Sequence, residues 1–162
     1  MAKAVFPNPD GTLVDIGGGT GVITAQFAKG FGEIHIVEPS RRKRKHGQKQ
    51  RPALRFHDAR AEKLPFKADA VDCLTAVVSF HHMTDHAAAA REAYRVLRPG
   101  GRFVVFEFHP RQGYGRWRSP DMVAGHMHFM EPEQLVAILR DANFRCDGAV
   151  EIDEGYIVTA TK

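Results

Sequence analysis

The sequence has no long apolar run, no disulfide framework and no repeat, and each absence removes a class of protein. Nothing in its 162 residues approaches the roughly 20 apolar residues a bilayer-spanning helix needs. The first residues, MAKAVFPNPDG, lack the apolar core of a secretory signal. A soluble, cytoplasmic protein without a membrane span is expected. The two cysteines, Cys73 and Cys146, stand far apart and match no metal-ligand spacing. Neither a metal site nor a structural disulfide is therefore expected. Cys73 lies in an apolar run and reads as a small core residue. No low-complexity segment or change of composition divides the chain. Residues 1–162 read as one domain, long enough to bury a real core.

Acidic residues are missing from one window. RRKRKHGQKQR, residues 41–51, holds seven Lys or Arg and no acid. The whole chain carries a net charge of +4. Without the window, 16 basic residues face 19 acidic ones, a balance of −3. The basicity is thus local, and the overall charge alone does not argue for nucleic acid. SRRKRKHGQKQ also lacks any aliphatic residue to bury, so a solvated helix or a disordered loop is expected. An anionic partner at Arg41–Arg51 is the functional reading of this run. Nothing aromatic interleaves it, so base stacking is not supported there.

What is present alternates. Leu13–Ile16, Ile34–Val37, Ala53–Phe56, Val71–Val78 and Arg102–Phe108 read as strands. Thr20–Lys29, Asp85–Leu97 and Glu131–Ala142 read as helices, the last with a proline in its first turn. Cys146–Ile152 and Tyr156–Ala160 flank DEG as a terminal hairpin. The strands are continuous apolar runs more than alternating ones, as in a sheet covered on both faces. The expected fold is α/β: a doubly wound, mostly parallel sheet with a C-terminal antiparallel hairpin.

Four glycines crowd LVDIGGGTGVI, residues 13–23, between the first strand and the first helix. That turn lies at the carboxyl edge of a doubly wound sheet, where ligands bind. A dinucleotide site wants G-x-G-x-x-G, but Gly17, Gly19 and Gly21 are followed by Val22. Asp15, two residues before Gly17, repels a pyrophosphate and suits an ammonium or a sulfonium.

VDIGGGTG resembles the first motif of class I S-adenosylmethionine-dependent methyltransferases. IHIVEPS, FHDARAEKLPF, VDCLTAVVSFHHM and AYRVLRPGGRFVVFE resemble later motifs of that family, in order and at family-like spacing. Within that family it resembles the small-molecule group that includes the ubiquinone and menaquinone biosynthesis methyltransferases. The resemblance implies a Rossmann-like fold, S-adenosylmethionine as cofactor and a small-molecule acceptor. It implies donor contacts from Asp15, Gly17, Gly18 and Gly19, from Glu38 with Pro39, from Asp58 and Ala59, and from Ser79. Glu38 would take both ribose hydroxyls, Asp58 the adenine amine, and the Ala59 N–H a ring nitrogen.

A general base is needed only where the acceptor carries a poorly acidic proton. His81 and His82 after the fourth strand, and His109 after the fifth, are the candidates. His126 and His128 form a His-x-His pair with no cluster to complete a metal site. Tyr114 and Trp117 among arginines fit a pocket wall or a surface loop equally.

Two departures stand out. The family carries covering helices before the glycine motif, whereas 12 residues precede Leu13. The acceptor side is then open, built by a partner subunit in a homo-oligomer, or shaped for something large. The Asn-Pro-Pro-Tyr motif of base-amine methyltransferases is replaced by SFHHM, which argues against a nucleobase nitrogen. The alternative to an enzyme is a non-catalytic methyltransferase-fold module holding an anionic partner on its basic run.

Overall fold

The computed structural model describes residues 10–109, 128–153 and 155–162. One seven-stranded sheet carries the fold. Its strands are β1 (Thr12–Ile16), β2 (Glu33–Val37), β3 (Arg55–His57), β4 (Val71–Val77), β5 (Leu97–Phe108), β6 (Arg145–Ile152) and β7 (Gly155–Thr161). They lie in the order β3-β2-β1-β4-β5-β7-β6. The pairs joining β3 through β5 are parallel, and β7 runs antiparallel to both β5 and β6. The order reverses between β1 and β4, so their carboxyl ends open the crevice where doubly wound sheets bind ligands.

The helices are α1 (Thr24–Phe27), α2 (Arg41–Gln50), α3 (His86–Val96) and α4 (Pro132–Asp141). The Asp85 side chain caps α3 by accepting the Ala88 N–H at 2.8 Å. Glu131 and Gln134 form a capping box ahead of Pro132 at the start of α4. No helix among the described residues is long and apolar enough to cross a membrane, which says nothing of a β-barrel.

β1 and β4 are buried along almost their whole length. The main core packs Leu74, Phe80, Phe103, Leu135, Leu139 and Tyr156, all fully buried, between the sheet and α3 and α4. Each such side chain contributes about 1.5–3 kcal/mol. The other face is thinner: Leu13, Ala28 and Cys73 pack with Phe27, Phe31 and Ile34. The terminal hairpin forms as expected, but its second strand lies inside. Tyr156, Val158 and Ala160 of β7 are fully buried beside β5, which leaves the more polar β6 as the edge.

Two segments differ from the sequence reading. The helix expected over 20–29 shortens to α1. Gly17, Gly19 and Gly21 all hold positive φ, so the chain is still turning at Gly21, and Gly30 at φ +99° follows soon after. Val22 and Ile23, within the expected helix, precede α1 and are 46% and 48% exposed.

The basic run folds as α2 without an aliphatic contact. Ser40 caps it, accepting the Lys43 N–H. The helix then docks through Gly47, where a Cβ would stand 2.4 Å from the Phe56 ring and 2.9 Å from the Thr20 carbonyl oxygen. A glycine buries its backbone where a leucine would otherwise pack. Gly47→Ala is expected to destabilise the fold by about 1–3 kcal/mol through overpacking, although alanine is the better helix former by about 1 kcal/mol. Urea unfolding decides the sign, and a stabilised variant would refute the close contact.

Candidate functional site

Asp15 ends its strand beneath the glycine turn. It is 1% exposed, and a Cβ on Gly18 would sit 2.6 Å from its Oδ2. Thr24 Oγ1 donates to Oδ2, and Thr75 Oγ1 donates to Oδ1 at 2.8 Å. Both oxygens are thus engaged by hydroxyls from α1 and β4. Burial pushes its pKa up to about 6, against the pull of the two hydroxyls. The direct contact with a cationic ligand expected for Asp15 does not match this geometry. The carboxylate faces the scaffold and holds the turn from below.

The turn itself closes on β4. Ser79 Oγ donates to the Ile16 carbonyl at 2.6 Å. A Cβ on Gly17 would stand 2.6 Å from Ser79 Cβ, so only glycine fits there at φ +72°. Val78, just before Ser79, holds φ +51°, a costly conformation for a β-branched residue. Its N–H is still satisfied by the Phe106 carbonyl at 2.8 Å. Such strain persists where the surroundings over-determine it, typically at functional sites.

Glu38 leaves β2 and reaches the same turn. Its Oε2 accepts the Gly19 N–H at 3.1 Å, and its Oε1 accepts the Ser40 N–H at 2.8 Å. A carboxylate has about four acceptor positions, so capacity remains for two ligand hydroxyls. Asp58 follows β3, its side chain 72% exposed and paired with Arg44. Arg44 also donates to the Glu38 carbonyl at 2.7 Å, and its side chain is 11% exposed. One arginine of the basic helix therefore braces two of the residues expected at the donor site.

A cavity at the crevice is lined by Gly17, Pro39, Ala59, Ser79, His82 and Met83, among others. It continues past Ala59, Arg60 and Glu62 into a groove bounded by Asp58, Leu64, Pro65 and Thr84. Residues from four separate stretches of sequence thus meet at one edge.

The three histidines part company. His82 lines the cavity. His81 lies behind it, buried, with ring centroids 4.1 Å apart. Its Nδ1 is 2.6 Å from Glu107 Oε2, and its Nε2 has no hydrogen-bond partner among the described residues. Glu107 Oε1 also accepts the Phe80 and His81 N–H groups at 2.7 and 3.3 Å. His109 instead pairs with Glu151 of β6 and lies outside the cavity lining. Tyr114, Trp117 and His126 fall outside the described residues.

Sequence reading missed Thr24, Thr75, Arg44 and Glu107. Glu107 did leave a signal, an acid inside the apolar run FVVFEF. A charge in a core strand needs partners, and here it has three.

The buried Asp15 makes a testable claim. Its folded pKa is raised, so its contribution is complete below the ordinary value of 3.8 and is lost as pH rises through about 6. Asp15→Asn keeps hydrogen-bonding groups for both threonines but carries no charge. Its stability relative to the parent is expected to rise between pH 4 and 7, by at most about 3 kcal/mol at 1.36 kcal/mol per pH unit. Urea unfolding across that range measures the gap, and a flat or falling gap would contradict the burial of a charge.

Known proteins match both the sequence and the fold. The methyltransferase domain family matches residues 14–105. The ubiquinone/menaquinone biosynthesis C-methyltransferase UbiE of Proteus mirabilis is 37% identical over 108 residues, covering 59% of this chain and 42% of that protein. Less than half the length of such curated relatives is therefore matched. Among solved structures, the complex of the Haloferax volcanii Trm112 methyltransferase activator with the putative methyltransferase aligns at a TM-score of 0.84 and 18% identity. That alignment covers 99% of this chain and 86% of the other. Geranyl diphosphate C-methyltransferase from Streptomyces coelicolor, solved with Mg2+, geranyl diphosphate and S-adenosyl-L-homocysteine, aligns at 0.79 and 18%, covering 99% and 77%. At these identities the structures speak for the fold, whereas the family match spans more than half of the chain, from β1 into β5: the chain belongs to the methyltransferase domain family.

Proposed function

We propose that this chain is an S-adenosylmethionine-dependent methyltransferase acting on a small-molecule acceptor. The observation that carries the reading is the crevice between β1 and β4, where Gly17, Pro39, Ala59, Ser79 and His82 line one cavity. Glu38 stands beside it with acceptor capacity to spare. The residues fit the donor: a carboxylate for a vicinal diol, a close-approach glycine turn, and Asp58 with Ala59 at the adenine end. When bound, S-adenosylmethionine supplies an electrophilic methyl carbon on a sulfonium.

The chain's own work is positioning. Glu38 orients the ribose, while Arg44 holds Glu38 and Asp58 in register. The glycine turn brings backbone close to the ligand because Asp15 and Ser79 leave it no other path. His82, on the cavity wall, is the histidine placed to take a proton from an acceptor. Glu107 fixes His81 behind it. His109 serves such a role less well, since Glu151 engages it.

The reading places the reaction in the cytoplasm, which suits the two free, buried thiols Cys73 and Cys146. It also assigns the exposed cations of α2 to an anionic partner. The non-catalytic alternative rests on that basic surface alone.

Calorimetric titration with S-adenosylmethionine, S-adenosylhomocysteine and NAD tests the proposal. The first two are expected to bind and NAD is not. Glu38→Ala and Asp58→Ala are each expected to weaken binding by about 1–3 kcal/mol, the range for lost charged or buried hydrogen bonds. Binding unchanged in both variants removes the site assignment, and no binding of any ligand by the parent favours the module.

A further inference from the structure

His35 and His57 line neither the crevice cavity nor the groove, but their rings meet behind it. His35 Nδ1 stands 2.8 Å from His57 Nε2, and the rings stack with centroids 5.0 Å apart. Phe66 closes edge-on over both, at 5.3 and 5.2 Å. His35 is 7% exposed. Few charges face the pair. On β2, Glu33 Oε2 lies 3.4 Å from His35 Nε2. On β3, Arg55 pairs with the other Glu33 oxygen at 2.6 Å. From the segment after β3 the contact is Phe66. Its carbonyl accepts from Arg95 of α3 at 3.0 Å, and Glu92 holds that arginine.

This geometry limits protonation. A carboxylate only accepts, so His35 presents Nε2–H to Glu33. In the neutral ring Nδ1 is then bare and accepts from His57 Nε2–H. The space between the two nitrogens holds one hydrogen. When both rings are charged every ring nitrogen carries one, and two N–H groups point at each other. The like charges repel as well. Burial holds His35 below the ordinary histidine value of 6.5, against the pull of Glu33. Burial, then the charges of His35 and Arg55, holds His57 below it too.

The pair sits at a weak place in the sheet. β3 has three residues, lies at the edge and pairs only with β2. Its last residue is His57, whose carbonyl accepts the Glu38 N–H at 3.1 Å. Residues between Asp58 and Pro65 form one wall of the groove, and Phe66 follows. The histidine contact and Phe66 thus fasten both ends of that wall to β2.

We propose that His35 and His57 form an acid-sensitive latch, closed while one hydrogen bridges them and opened when both rings are charged, which frees the end of β3 and the groove wall from β2. The latch does not rest on the methyltransferase reading, and its test needs no donor.

Folded values below 6.5 mean that the unfolded chain binds more protons under that pH. The pair's stabilisation is therefore complete above 6.5 and is lost as pH falls below it. Asp15 changes in the opposite direction, so each variant is compared with the parent at the same pH. The experiment is urea unfolding of the whole chain from about pH 7.5 to about pH 5, with His35→Gln, His57→Gln and the double variant. Glutamine keeps a hydrogen-bonding group and takes no proton. The urea midpoint of each single variant, relative to the parent, is expected to rise as pH falls. The double variant is expected to gain less than the two single gains together, because either substitution removes the doubly charged pair. A flat relative midpoint, or gains that simply add, overturns the latch. Backbone hydrogen exchange of the parent needs no variant. Corrected for the intrinsic rate, residues 55–66 are expected to exchange several-fold faster at about pH 5.5 than at about pH 7.5, with β4 unchanged. No acceleration there, or equal acceleration in β4, also overturns it.

Discussion

A carboxylate buried under a turn is the constraint on which this site rests. Asp15 lies between the sheet and the glycines with both oxygens engaged, one by Thr24 of α1 and one by Thr75 of β4. Those two bonds tie the chain after the turn to the strand across the crevice. With them in place the turn has little freedom. Gly18 must lack a side chain because Asp15 fills that space, and Gly17 must lack one because Ser79 does. The glycines are thus a consequence of a charge below and a serine beside them, as much as of a ligand above. The burial of Asp15 costs stability at neutral pH, and the hydroxyls offset part of that cost.

The same logic governs α2. A helix with no aliphatic side chain has no hydrophobic face to anchor it, yet this one is held at a defined place. Backbone approach at Gly47 and two inward arginines supply what a leucine stripe usually does. The arrangement has a functional consequence. Arg44 reaches from the helix to the ends of β2 and β3, so the position of α2 sets the positions of Glu38 and Asp58. A change that tilts α2 moves Glu38 and Asp58 together.

Much of the fold was legible. Apolar runs marked β1, β2, β4 and β5, and β1 and β4 are buried on both faces, where a strand cannot alternate. Pro132 marked α4. Of the residues singled out by order and spacing, Gly17, Pro39, Ala59 and Ser79 meet in one cavity. What was hidden depends on distance in sequence. Val22 and Ile23 have helical spacing, but spacing does not say that the chain turns until Gly21 or that this face is thinly covered. The cationic composition of α2 predicted solvation and gave no sign that Gly47 would dock. Asp15 looked like a ligand contact because its partners, nine and sixty residues away, are ordinary threonines.

His81 and His82 show why adjacency in sequence does not mean equivalence. They sit in a single turn of 3-10 helix, Phe80–His82, where successive side chains point about 120° apart. One must therefore face the core if the other faces the crevice. Glu107 decides which, because its carboxylate takes two backbone N–H groups of that turn as well as His81 Nδ1. The turn is pinned by three bonds to one buried acid, and His82 is left at the cavity wall with little freedom of position. The two histidines differ in place: His81 is a strut tied to β5, and His82 lines the cavity. An acid near the end of β5 thereby shapes a cavity lined mostly by residues that follow β1 through β4.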